Sequence, residues 1–71
     1  MLFVDTSAWF AYFVPVDPDH GRVRQVFTSS RQRFVTTDYC IDETLTLLLA
    51  RGESQRALEA HFSQFGITVL P

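Results

Sequence analysis

The sequence has 71 residues, 46% of them apolar, including seven Phe, two Tyr and one Trp. This is globular content, neither disordered nor fibrous, in one small domain that hides only about 60% of its unfolded surface on folding. With six Arg, no Lys, eight acidic residues and a net charge of −2, it has no broad basic field to grip a nucleic-acid backbone, so a polyanion must be met by a local Arg cluster or a metal ion.

Leu2-Phe3-Val4 is too short for a core helix and rich in β-formers, so it reads as a buried strand. Asp5 falls where that strand ends, and Thr6 or Ser7 stands where a helix begins and its free N–H groups need a cap. The following SAWFAYF is apolar from position 8 to 13 and reads as a short helix buried on most sides. Trp9, Phe10, Tyr12 and Phe13 are too crowded for an exposed base-stacking platform and read as core or dimer contact. Pro15, Asp17 and Pro18 interrupt the helix. Asp17-Pro18-Asp19-His20 then reads as a second start, with Asp17 as N-cap and Pro18 at the first helical position. Val23, Val26 and Phe27 give that helix an apolar face, and it ends in Thr28-Ser29-Ser30. His20, in its first turn, reads as structural or surface rather than as a general base.

Arg33 to Thr37 is short and β-rich, a second strand. Thr37 or Asp38 caps a long helix through Leu45, Leu47, Leu48, Leu49 and Ala50, stopped at Gly52. Cys40 is the only cysteine, which excludes an intramolecular disulfide and a thiolate zinc cage and leaves it as a small core hydrophobe. Ser54 begins a fourth helix with Ala57, Leu58, Phe62 and Phe65 as its inner face, while His61 reads as structural. Gly66 stops it, and Ile67 to Leu70 start a third strand. No apolar run reaches the ~18 residues of a membrane span, and the N-terminus lacks a signal-peptide pattern, so the expectation is a soluble, cytoplasmic protein.

Strands alternating with helices indicate the α/β class: a mainly parallel sheet with crossover helices. The chain stops on its third strand, which is either a true sheet edge or is covered by something else, such as another copy of the chain. In a parallel sheet the ends of strands one and two share one edge, where ligands of open α/β sheets sit. Asp5 lies at one of these ends, and Asp38, Asp42 and Glu43 follow the other. Carboxylates converging without a basic partner repel one another unless a divalent cation cancels their charge, and Mg²⁺ suits one or two carboxylates plus several waters. Capping is the simpler reading of Asp5 or Asp38 alone. Glu43, about a turn and a half into its helix, resists that reading, and Asp42 reads as a solvated neighbour.

The run FVDTSAWFAYF, then DPDH, then RFVTTDYCIDETLTLLLARG, resembles the PIN-domain ribonucleases, including the VapC-type toxins of toxin–antitoxin pairs. The resemblance covers essentially the whole chain. It implies that Asp5 and Glu43 are catalytic and hold Mg²⁺ or Mn²⁺, with Thr6 or Ser7 contacting a metal-bound water or the scissile phosphate, and Asp38 and Asp42 as secondary candidates. RNA is then the substrate and an antitoxin protein the partner. PIN domains continue past the third strand into a helix with a third acid and a strand ending in one more polar or acidic residue, which no position here matches. The expectation is therefore residues 1–71 as the N-terminal part of a single PIN-like domain, truncated after the third strand; a full metal site then needs acids from elsewhere or is weak, and a homodimer is one way to complete the sheet.

The alternative is a catalytically silent PIN half that serves as a binding or dimerisation module. A flavodoxin-like phosphate binder is a poor third reading, because no Gly-rich loop follows the first strand. Of the arginines, Arg22 and Arg24 are two apart and do not share a helix face, while Arg31 and Arg33 emerge at the amino end of the second strand. They read as a scattered solvated set, with RNA-backbone contact by one or two of them as the competing reading.

Overall fold

In the computed structural model, residues 1–63 and 66–71 are described, so Phe65, expected on the inner face of the fourth helix, lies outside the described residues. The elements follow in the expected order: β1 (Leu2–Phe3), α1 (Thr6–Phe13), α2 (His20–Ser29), β2 (Phe34–Thr37), α3 (Asp38–Ala50), α4 (Gln55–Ser63) and β3 (Thr68–Leu70). The sheet is parallel throughout, with Leu2 opposite Phe34 and Val35 opposite Thr68. The Val4 N–H donates to the Val35 carbonyl at 2.8 Å, carrying the first pairing one residue past β1.

The strand order is β1-β2-β3, so the third strand stands at an edge of the described sheet, one of the two alternatives expected for it. β1 is an edge as well, because β2 takes the centre. The burial of β2 shows why: Phe34, Val35 and Thr36 are all buried, as in a strand covered on both faces. Phe3 in β1 and Val69 and Leu70 in β3 stay exposed.

Two apolar clusters hold the helices to this sheet. Val4, Trp9 and Phe34 form one, joined by Phe27 from α2 and Phe62 from α4. Val14, Leu48 and Leu58 form the other, between the end of α1, α3 and α4. Phe13 packs against both. Trp9 is fully buried and meets Phe27 and Phe62 edge-on at 5.4 and 4.8 Å between ring centroids. Of the aromatic run of α1, for which core or dimer contact was expected, Trp9 is core, and Phe10 and Phe13 pack partly buried against the clusters. Ala57 is exposed, so Leu58 and Phe62 alone carry the inner face of α4 among the described residues.

Local chemistry explains the boundaries. Helix α2 starts two residues later than Asp17-Pro18 suggests. The Asp17 side chain accepts from the Asp19 N–H at 2.8 Å and its carbonyl accepts from the His20 N–H at 3.0 Å. That closed turn competes with helix initiation, and Asp19 becomes the N-cap. His20 Nδ1 lies 2.8 Å from the Ala11 carbonyl, a contact that ties α2 back onto α1 and gives His20 the structural role expected of it. Ser54 Oγ accepts from the Ala57 N–H at 3.3 Å and so caps α4.

Candidate functional site

Both strand ends deliver polar residues to the same edge of the sheet. Asp5 leaves β1 in extended conformation, and its Oδ1 accepts from the Ala8 N–H at 3.0 Å and from Ser7 Oγ at 2.9 Å. Asp5 is thus the N-cap of α1, in place of Thr6 or Ser7. The reason is geometric: a cap must be extended while its side chain reaches forward, and Thr6 is already helical. Both bonds go to Oδ1, which leaves Oδ2 without a hydrogen-bond partner among the described residues.

The position of Asp5 depends on Thr36 in β2. Thr36 Oγ1 donates to the Val4 carbonyl at 2.8 Å and accepts from the Trp9 indole N–H at 3.1 Å. Both side chains are fully buried. One hydroxyl therefore fixes the residue before Asp5 and the helix after it. Sequence reasoning missed this node, since nothing about a threonine in a short strand says that its hydroxyl will be buried against an indole.

At the second strand end, Thr37 rather than Asp38 caps α3, accepting from the Cys40 N–H at 3.1 Å. Asp38 sits exposed in the first turn, where its charge favours the helix dipole. Glu43 lies one turn further and is also exposed, its Oε2 accepting from the Tyr39 hydroxyl at 3.2 Å. That hydrogen bond, and the carboxylate charge behind it, hold the Tyr39 hydroxyl above its ordinary pKa of 10.0. Tyr39 thus stays a protonated donor to Glu43 through neutral pH.

A cleft of about 720 Å³ joins the two ends: Thr6 and Ser7 line it from α1, Glu43 and Leu47 from α3, and Asp17, Asp19 and Arg22 from α2 and the turn before it. Asp5 does not itself line this cleft; it is hydrogen-bonded to Ser7, which does. Asp42 lines a different cleft with Tyr39 and Thr46, Glu43 bordering both, and Asp38 lines neither. Asp17, Asp19 and Arg22 were not expected here. The sequence signal was the i, i+3 spacing of Asp19 and Arg22, which join in an ion pair at 2.6 Å.

Asp5 and Glu43 have no cationic side chain within ion-pair distance among the described residues. Unpaired carboxylate oxygens are the hard donors that Mg²⁺ or Mn²⁺ takes, and Mg²⁺ is content with one or two carboxylates while it keeps its waters. Asp5 and Glu43 are of the donor type such an ion takes. Among the described residues, no group of three or more His, Cys, Asp or Glu could hold a metal ion, so Asp38 and Asp42 do not close a protein-only ligand set around it.

No protein-family model matches the chain. Among curated proteins it is similar to the 23S rRNA-specific endonuclease VapC20 of Mycobacterium tuberculosis, in strains CDC 1551 / Oshkosh and ATCC 25618 / H37Rv. The identity is 35% over 60 residues, 84% of this chain and 46% of either relative. Among solved structures it is similar to the crystal structure of M. tuberculosis VapC20, described as a Sarcin-Ricin loop cleaving toxin. There the TM-score is 0.82 at 29% identity, over 99% of this chain and 55% of that one. The chain thus spans about half the length of the relatives it matches.

Proposed function

We propose that this chain, homologous by sequence and by structure to the PIN-domain toxin ribonuclease VapC20, works in metal-dependent RNA phosphodiester cleavage as part of a cytoplasmic toxin restrained by an antitoxin protein. The observation that supports this best is the shared cleft, with Glu43 on one wall and Ser7, bonded to Asp5, on the other. Asp5 and Glu43 would hold Mg²⁺ or Mn²⁺, directly or through water. Such an ion, when bound, lowers the pKa of water and withdraws charge from phosphoryl oxygens. The chain's own residues do the rest. The Ala8 N–H and the Ser7 hydroxyl fix one oxygen of Asp5 and turn the other toward solvent. Tyr39 steadies Glu43, the Thr6 hydroxyl would donate to a phosphate in the cleft, and Ser7 Oγ, its proton given to Asp5, would accept from a metal-bound water.

A second reading is favoured by the absence of a third ligand among the described residues: a silent half-domain that binds a partner or a second copy of itself through the edge strands of the described sheet. Cleavage of a mixed RNA pool and of a sarcin–ricin loop oligonucleotide, with Mn²⁺ and with EDTA, separates the two. Asn is as good an N-cap as Asp, so Asp5→Asn removes the charge while sparing α1. The nuclease reading expects cleavage that Asp5→Asn, Glu43→Gln and EDTA each abolish. A folded chain that cleaves nothing assigns it to the silent class.

A further inference from the structure

We infer that Arg22 is the residue that takes hold of an RNA phosphate in the cleft, and that Asp19 occupies that same guanidinium until the RNA arrives; this deepens the nuclease reading and rests on it. The cleft walls are acidic, with Asp17, Asp19 and Glu43, and Arg22 is the one cationic side chain lining it among the described residues. A polyanion entering this cleft needs a counter-charge there, and the other arginines are placed elsewhere. Arg24 lines a separate cleft beside His20 and His61, and Arg51 is not a lining residue of the cleft, although its guanidinium lies 5.7 Å over the ring of Phe10, which is. Arg31 and Arg33 precede β2, at the end of the sheet away from Asp5. Arg56 stands in the first turn of α4.

The position of Arg22 is also electrostatically unfavourable for its helix. It stands in the first turn of α2, at the positive end of the helix dipole, where acidic side chains stabilise and cations do not. Local violations of this kind belong to sites with another task. Its one ion pair, to Asp19, is exposed on both sides, with side-chain accessibilities of 76% and 57%. Such surface pairs are weak and screened by salt, so exchange of the carboxylate for a phosphate is easy. The guanidinium has five N–H donors, and the Asp19 contact uses Nη2. The remaining fork matches the bidentate geometry of phosphate recognition.

The test is fluorescence anisotropy of a labelled single-stranded RNA of mixed sequence, binding the chain in EDTA over a series of salt concentrations, with cleavage in Mn²⁺ followed in parallel. Arg22→Gln should weaken binding about tenfold and make the slope of log affinity against log salt shallower by about 0.7, the loss of one phosphate contact. Asp19→Asn should act in the opposite direction and tighten binding, because Asp19 makes no side-chain cap bond and its loss frees Arg22. Arg31→Gln should change neither. Equal affinity and slope for Arg22→Gln and the unmodified chain overturn the inference, as does weakening by Asp19→Asn, which would mark the pair as structural. Binding that depends on Arg22 without cleavage in Mn²⁺ keeps the phosphate contact and removes the nuclease. Cleavage indifferent to Arg22 keeps the nuclease and removes the contact.

Discussion

Thr36 shows how one buried hydroxyl serves fold and site together. It offers an acceptor to the Trp9 indole and a donor to the Val4 carbonyl, in a position with no access to solvent. Replacing a buried hydrogen-bonding group costs about 1–3 kcal/mol when its partners lose their bond. Thr36→Val should therefore destabilise the chain by about that much, read from chemical unfolding with Trp9 emission as the probe. Thr46→Val on the exposed side of α3 should stay within about 0.5 kcal/mol. If the two variants unfold at the same denaturant concentration, the Thr36 node is not holding the strand end. Asp5 is the neighbouring case: capping and metal binding, first weighed against each other, are compatible in the structure because capping uses one carboxylate oxygen and leaves the other. That compatibility was not legible in the sequence, since it depends on which oxygen the Ser7 hydroxyl and the Ala8 N–H take.

Among the elements, α3 carries the most information. Of its four leucines only Leu48 is fully buried, while Leu47 and Leu49 are exposed and the small Thr44 is packed inside. Thr44 satisfies itself by donating to the Cys40 carbonyl at 2.7 Å, so its burial leaves no orphaned hydroxyl. The Glu43 position follows from this: with Cys40, Thr44 and Leu48 facing in, residue 43 is rotated out toward the cleft. The helix closes in a Schellman turn, in which the Gly52 N–H donates to the Leu49 carbonyl at 3.0 Å and the Glu53 N–H to the Leu48 carbonyl at 3.2 Å. Gly52 sits at φ 92°, where a Cβ would meet no atom but would strain the backbone. Gly52→Ala should thus cost about 1 kcal/mol through conformation alone, visible as a lower thermal midpoint. A midpoint equal to that of the unmodified chain would mean the turn relaxes without its left-handed residue. The glycine stop was legible; the start of α2 was not, because Asp17 can cap a helix or close a turn and only the packing of His20 onto α1 decides.

At the scale of the molecule, β1 and β3 stand at the edges of the described sheet, which sits on a small core. Exposed edge strands with apolar side chains are templates for pairing with another chain. Phe3 at 58% exposure marks one edge of this sheet, and Val69 and Leu70 mark the other. Concentration-dependent self-association is the expected behaviour, measured by sedimentation velocity across a dilution series. Phe3→Lys should reduce it if copies meet at β1, and Val69→Lys if they meet at β3. A chain that sediments as a monomer at every concentration would remove the homodimer. The same loosely built site predicts weak metal binding by a monomer, and a magnesium titration showing tight binding would contradict it.

The sequence by itself determined the alternation of strands and helices, the parallel α/β class, the aromatic core of α1 and the delivery of Asp5 and Glu43 to one end of the chain's sheet. These follow from periodicity, turn chemistry and the rule that parallel strands point their carboxyl ends the same way. The tertiary structure decided which strand stands at the centre, that Thr36 ties Val4 to Trp9, and that Arg22 from α2 joins the cleft between α1 and α3. Those are contacts between residues distant in sequence, set by how side chains fill shared space, and no local pattern records them.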